Sequence, residues 1–434
     1  MGLIVKGKAA KIAVGRLLHI AKRKSSSSDV WMNHPTSIFP PMACSRLGLD
    51  PSTNLIHAPL VYHENYSFDD WPKTHTFPMD KFRQLAQYLT NPTREESVLG
   101  GDVLSAAEPL VQSYQDFFRP LDLHQIPNEW IQQPTGPIEK DYLQKFLTGS
   151  LSRDQCRRIG FREQTYRPEL IERTLLEVAG TVLTCQLALQ YGIASNLAGG
   201  THHATYNYGS GYTILNDLAI ASNYLTNPIF HKQDSDSMSS SNNSDATTAP
   251  AALRKTVLII DCDVHQGDGT AKFTSQGIIP SERMVTLSIH CQDNYPFPKA
   301  TSTYDVGLPS NIRDEDYLEA VQLSVTRALN EWNPDFVLYD AGVDIYENDS
   351  LGKFCISTKG IRQRDRWILD TCVTKNIPVA AVIGGGYDKN PYALAQRHAI
   401  LHEECAYIWR TYKMWMKSSN NPIYQPKYYH MDTS

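Results

Sequence analysis

The eight cysteines (Cys44, Cys156, Cys185, Cys262, Cys291, Cys355, Cys372 and Cys405) include no C-x-x-C pair. Several lie inside apolar runs, as Cys262 does in TVLIIDCDV. They read as buried free thiols in a reducing compartment, not as a disulfide framework. No run of roughly 18 uninterrupted apolar residues is present, so a transmembrane helix is excluded on hydropathy grounds. Positive charge is not in excess: the formal net charge is −5 and the pI about 6.3. That removes the basic domain or stripe by which nucleic-acid binders usually declare themselves. There is no internal repeat. The first 28 residues lack any acid before Asp29, yet carry Lys6, Lys8, Lys11, Arg16, Lys22, Arg23 and Lys24 ahead of a serine run. This composition suits an organelle transit peptide, with a disordered basic tail as the alternative. The start MGLIVK lacks the Ser or Thr expected for myristoylation. Lys22-Arg23-Lys24 is too short for a nuclear signal.

What is present is an ordinary globular composition, 41% hydrophobic and 20% charged over 434 residues. Residues 1–57 read as a basic leader and an extended Pro/Ser-rich arm, with ordered sequence beginning near Leu60. Residues 231–253 (HKQDSDSMSSSNNSDATTAPAAL) are polar enough that ordering them would not be repaid by burial, and they read as a disordered insertion. Residues 416–434 read as a loose tail, leaving one domain over 58–415. Within it, Ile171, Leu175, Val178 and Val182 recur at helical spacing, predicting a helix over 168–190. Further helices are expected near 213–225, 314–331, 359–375 and 391–415. Between them stand IASNLAGG (193–200), TVLIIDCDV (256–264), MVTLSIH (284–290), DFVLYDAG (335–342) and PVAAVIGGG (378–386). Short, nearly continuous apolar runs suit parallel strands buried on both faces. The alternation predicts an α/β fold, a single-domain parallel sheet sandwiched by helices.

Ligands of open α/β sheets bind beyond the carboxyl ends of the strands. Five such ends carry polar residues: Thr201-His202-His203, Asp261/Asp263/His265, His290, Asp344, and Gly384-Gly385-Gly386-Tyr387. On a continuing strand Asp261, Asp263 and His265 point to one side. Two carboxylates and an imidazole crowded at a buried strand end repel and desolvate one another unless a cation joins them, and this donor set suits zinc. The alternative is a surface loop with ordinary charges, against which the apolar VLII just upstream argues. Adjacent histidines are more often structural than catalytic, but His202 and His203 sit at a strand end, where one could take a proton from a metal-bound water. The triple glycine is either a tight turn or the support that presents Tyr387 to an oxyanion. Asp344 is either a ligand or a helix N-cap.

The strings LAGGTHHA, GSGYTILND, IDCDVHQGDGT, TLSIH, DAGVDIYENDSLG and IGGGYD together resemble the histone deacetylase family, of the arginase/deacetylase fold, from about Leu60 to about Tyr412. The DVHQGDG and DxLG forms and the short FPMDKF opening resemble the class IV and bacterial-type branch. The resemblance implies zinc ligands at Asp263, His265 and Asp344, a general base at His203 and its electrostatic or acid partner at His202. It implies that Asp261 orients His202 and Asp268 orients His203. Tyr387 matches the tyrosine that helps polarise the acyl carbonyl. Gly211 and Tyr212 match the Gly-Phe pair of the acyl-lysine tunnel, with Tyr in place of Phe; Gly385 and Tyr295 are further substrate-side residues. Asp261, Asp263, His265, Ser288 and Ile289 match a structural monovalent-cation site, usually potassium. The implied chemistry is hydrolysis of an N-acetyl or longer N-acyl lysine amide in a protein, histones included.

Three rival readings share much of this pattern. An acetylpolyamine-type deacetylase would use the same residues on a small acylated amine. A binuclear manganese ureohydrolase needs D-x-H-x-D, and here Gly267 follows Gln266, so the second aspartate is missing. A non-catalytic acyl-lysine-binding protein would be expected to have lost ligands, the His pair or the tyrosine, all of which are intact. Nothing in the sequence selects an oligomeric state. Location follows the leader: mitochondrion or chloroplast if it is a transit peptide, otherwise cytoplasm or nucleus.

Overall fold

Seven short strands form one all-parallel sheet in a computed structural model that describes residues 57–91, 110–230, 256–412 and 414. The leader, the insertion 231–253 and the tail lie outside the described residues, apart from the leader's last residue, His57. In chain order the strands are β1 (Leu60–Val61), β2 (Ile193–Asn196), β3 (Val257–Asp261), β4 (Met284–Cys291), β5 (Tyr304–Leu308), β6 (Phe336–Asp340) and β7 (Val379–Val382). The helices are α1 (Lys81–Thr90), α2 (Asn128–Ile131), α3 (Lys140–Leu147), α4 (Arg153–Ile159), α5 (Pro168–Tyr191), α6 (Asp217–Thr226), α7 (Asp268–Ser275), α8 (Asp314–Trp332), α9 (Thr358–Thr374) and α10 (Pro391–Thr411).

The strand order is β1-β2-β7-β6-β3-β4-β5. Every residue of β2, β3, β4, β6 and β7 is buried, as their unbroken apolar runs require, while the edge strand β5 alternates between half-buried and exposed. Helices α5, α6 and α7 cover one face and α8, α9 and α10 the other, with α1 packed on α10. Helix α5 starts with Pro168 in its first turn and stops at Gly192, whose φ of 86° ends the helix in the left-handed conformation. No helix among the described residues is long and apolar enough to cross a membrane.

The chain leaves β3 for β4 on one side and β6 for β7 on the other. The topological switch point therefore lies between β3 and β6, where Asp261 and Asp340 stand side by side in register. A fully buried arginine braces this point from below. Arg364 of α9 donates to the carbonyls of Gly342 (2.8 Å), Ala341 (3.1 Å) and Cys262 (3.2 Å), just past the ends of β6 and β3, and its Nε bonds Asp365 at 2.9 Å. Removing one partner of a buried pair of this kind costs about 3–5 kcal/mol.

Two expectations need correction. The strand ending in Asp261 does not run on through His265. The chain turns there because the Asp261 carboxylate accepts from the Asp263 N–H (3.1 Å) and the Asp263 carboxylate from the His265 N–H (2.8 Å). Likewise β2 stops at Asn196 and α6 begins at Asp217, since Asn196 and Asn216 satisfy nearby backbone groups with their side chains.

Candidate active site and metal centre

The five chemically loaded strand ends converge, because β2, β7, β6, β3 and β4 are consecutive in the sheet. Asp263, His265 and Asp344, all buried, bring one donor atom each within 4.8 Å of one another. His265 Nδ1 lies 3.0 Å from Asp263 Oδ1 and 3.1 Å from Asp344 Oδ2. Asp344 caps no helix; its other oxygen accepts from the Val264 N–H at 2.9 Å. Burial, then the neighbouring Asp263 charge, pushes the Asp344 carboxyl up to about 7. A divalent cation among the three donors removes that conflict, and two carboxylate oxygens with one imidazole nitrogen suit zinc with a position left open. The donor set therefore fits the metal that the sequence implied.

Two imidazole–carboxylate pairs stand beside it. His202 Nδ1 lies 2.9 Å from Asp261 Oδ2, and His203 Nδ1 lies 2.8 Å from Asp268 Oδ1. An ionised carboxylate only accepts, so each Nδ1 carries a proton, and His202 Nε2 lies 3.8 Å from Asp263 Oδ1. Burial lowers the His202 pKa, but Asp261, Asp263 and Asp340 outweigh it and raise it well above 6.5. His203 is held down to about 4, by burial first and the nearby His202 charge second.

Glycine is required at two places here. A side chain on Gly385 would collide with the carboxylates of Asp263 and Asp344, and its N–H donates to Asp263 Oδ2 at 2.9 Å. Gly211 has φ of 54°, and a Cβ there would sit 2.5 Å from His203 Cδ2. Next to it Tyr212 is also left-handed, at φ 65°, held by its N–H to the Ile159 carbonyl (2.7 Å) and by stacking on Phe161 (5.7 Å between centroids). Its ring comes within 6.1 Å of Tyr387. Tyr295 stands 5.0 Å from the His203 ring, its hydroxyl paired with Ser210 at 2.6 Å. The Tyr387 hydroxyl is pushed well above 10 by burial and by Asp263 and Asp344, so it stays a donor. The triple glycine is thus more than a turn: it carries Tyr387 to the cluster. Ser288 pairs in register with Asp261, and Ile289 follows it on β4. His290 bonds the Ser288 hydroxyl (3.0 Å) and is not one of the Asp263–His265–Asp344 donors.

The family model described as "Histone deacetylase domain" matches residues 138–233 and 242–402. This chain belongs to the histone deacetylase family. An uncharacterised protein of the cyanobacterium Picosynechococcus is 39% identical over 345 residues, 79% of this chain and 97% of that one. Histone deacetylase 2 of Arabidopsis thaliana is 30% identical over 218 residues, 49% of each chain. Histone deacetylase clr6 of Schizosaccharomyces pombe is 30% identical over 207 residues, 45% of this chain and 43% of its own. Two solved structures share the fold. The HDA15 HD domain has a TM-score of 0.50 at 17% identity, covering 81% of this chain and 89% of its own. A histone deacetylase homolog complexed with SAHA has a TM-score of 0.53 at 18% identity, covering 81% and 84%.

This histone deacetylase domain also uses residues to which the sequence pattern gave no role. Asp217 accepts from the N–H groups of Gly200 (3.1 Å) and Thr201 (2.8 Å) and so shapes the turn before the histidine pair. Asp349 accepts the Tyr387 N–H at 2.7 Å and anchors the tyrosine loop. Lys81 of α1 is 3% exposed and donates to the Gly384 carbonyl at 3.0 Å; burial lowers its pKa to about 8. Asp340 is wholly buried with neither oxygen hydrogen-bonded, and its carboxyl is pushed well above 3.8 by burial and by Asp261. Asp217, Asp349, Lys81 and Asp340 all lie in or beside the family-like motifs, but only the fold shows which way they face.

Proposed function

We propose that the protein is a zinc-dependent amidohydrolase that cleaves N-acyl lysine amides, converting amide and water to a carboxylate and a free amine. The observation that carries this reading is the meeting of the Asp263–His265–Asp344 cluster with two histidine–carboxylate pairs whose environments are opposite. Asp263, His265 and Asp344 would hold the zinc, which when bound would polarise the acyl carbonyl and acidify a coordinated water. His203, neutral and with Nδ1–H committed to Asp268, accepts the water proton at Nε2. His202, held protonated by its carboxylates, lowers the energy of negative charge developing beside it. The Tyr387 hydroxyl donates to the acyl oxygen as it becomes an oxyanion. Tyr212 and Tyr295 flank the entering chain, and Gly211 leaves it room against His203. A monovalent cation at Asp261, Asp263, His265, Ser288 and Ile289 would enter no step. The catalytic unit in this reading is residues 58–415.

The test is hydrolysis of acetyl-lysine peptides, longer-acyl-lysine peptides and acetylpolyamines by purified protein, with and without chelator, beside Asp263→Ala. Chelator-sensitive turnover of a lysine peptide that vanishes in the variant is the expected result. Turnover of polyamines alone would move the substrate to a small acylated amine. Absence of turnover by folded, zinc-loaded protein on every substrate would overturn the catalytic reading.

A further inference from the structure

Asp268 opens α7 and Lys272 lies four residues on, so the two share one face of the helix. The carboxylate is only 5% exposed, and its two oxygens have separate partners. Oδ1 faces His203 Nδ1 at 2.8 Å, while Oδ2 accepts from Lys272 Nζ at 2.8 Å. The same ammonium donates to the Tyr208 hydroxyl at 3.0 Å, and the Arg158 guanidinium lies 4.8 Å from the Tyr208 ring centroid. Tyr208 in turn closes the turn after the histidine pair, its carbonyl accepting the Thr205 N–H at 2.8 Å, and that segment runs on into Ser210, Gly211 and Tyr212.

We propose that Lys272 is a positioning residue for the reaction: its ammonium locks the Asp268 carboxylate that orients His203, and ties that pair to the turn leading into the substrate tunnel. The proposal rests on the reading of His203 as the base. An exposed i,i+4 pair contributes little to stability, but here the carboxylate is buried and its other oxygen holds an imidazole. With Lys272 gone, Oδ2 loses the one partner it has here, and the carboxylate is free to turn about its terminal torsion. The imidazole then loses the single orientation that points Nε2 at the reacting water. Lys272 touches neither substrate nor metal ligand, so zinc binding and substrate affinity should not depend on it.

Lys272→Met is expected to lower kcat by about 10–100-fold with KM and zinc content little changed, the range seen for partners that orient a site residue. Lys272→Arg, which keeps the charge and the donors, should restore most of it. A second readout does not depend on turnover. In protein labelled at histidine, the downfield Nδ1–H proton resonance of His203, assigned by its loss in His203→Ala, should shift upfield and broaden in Lys272→Met. The His202 Nδ1–H resonance serves as internal control and should stay. Tyr208→Phe, which removes one acceptor of the ammonium, should give a smaller shift in the same direction and decides the matter if Lys272→Met does not fold. Unmoved His203 resonance in the folded variants, or a kcat loss that Arg does not rescue, overturns the proposal. Failure of the wild type to hydrolyse any amide would sink the proposed function, whereas the resonance shift would still decide what Lys272 does to Asp268 and His203.

Discussion

Behind His202 stand the carboxylates of Asp261, Asp263 and Asp340; behind His203 stands one carboxylate, Asp268, already shared with an ammonium. The two imidazoles are neighbours in sequence, their ring centroids 4.2 Å apart, and both are buried. Desolvation acts alike on both. The difference comes from the strands: β3 and β6 end side by side and crowd their acids against His202, whereas His203 faces the start of α7. The two rings are therefore pushed in opposite directions, His202 up and His203 down, and this difference is set by topology.

The largest effect should come from removing the neutral ring. His203→Ala should lower kcat by about 10²–10⁴-fold with zinc content intact, as expected for loss of a general base. Initial rates beside His202→Ala test the asymmetry; an equal or larger loss from His202→Ala would show that the roles are misassigned.

A third buried histidine extends the contrast. His402 of α10 bonds the Ser195 hydroxyl at 2.8 Å rather than a carboxylate, and burial alone lowers its pKa to about 3. Its folded pKa lies below its ordinary value of 6.5, so as pH falls the unfolded chain takes up a proton that the folded chain refuses. The stability it lends is complete above pH 6.5 and is lost progressively as pH falls from there toward about 3, amounting to about 2 kcal/mol by roughly pH 5. Urea midpoints at neutral pH and near pH 5 should therefore fall less in His402→Gln than in the wild type. Equal falls would mean that this imidazole is not buried neutral.

The smallest effect is expected at Asp340, the acid whose carboxyl burial and Asp261 push up. Asp340→Asn keeps nearly the same shape, so kcat should change by less than about threefold, about 0.7 kcal/mol in barrier. A loss above tenfold would show that His202 needs a charge at that position.

Much of this architecture was legible in the residues because the relevant physics is local. Apolar runs such as TVLIIDCDV and PVAAVIGGG fit only strands covered on both faces, and the spacing of Ile171, Leu175, Val178 and Val182 fits only a helix. Asp263 and His265 stand out because charged and titratable residues directly after such a run are costly to bury unless they bind or react with something, while Asp344 and the pair His202-His203 stand out through the family-like strings that hold them. What could not be read locally was direction. The chain turns immediately after Asp261, so strand alternation is not what brings Asp261, Asp263 and His265 together; side-chain bonds to backbone N–H groups are. Lys81, separated from Gly384 by most of the chain, gives no sign in its own neighbourhood that it will be buried against that carbonyl.

The fold class and the parallel sheet follow from the order of residues, because each rests on the period of apolar positions, whereas the candidate donors Asp263, His265 and Asp344 and the pair His202-His203 were legible as a set through the strings that resemble the family. Four outcomes waited for the folded chain: that the two imidazoles are pushed in opposite directions, that Asp340 is buried without a hydrogen bond, that Arg364 braces the switch point and that Lys272 reaches Asp268. They depend on distances of a few ångströms between side chains on different elements, and at that range burial and neighbouring charge, not residue type, set the protonation state.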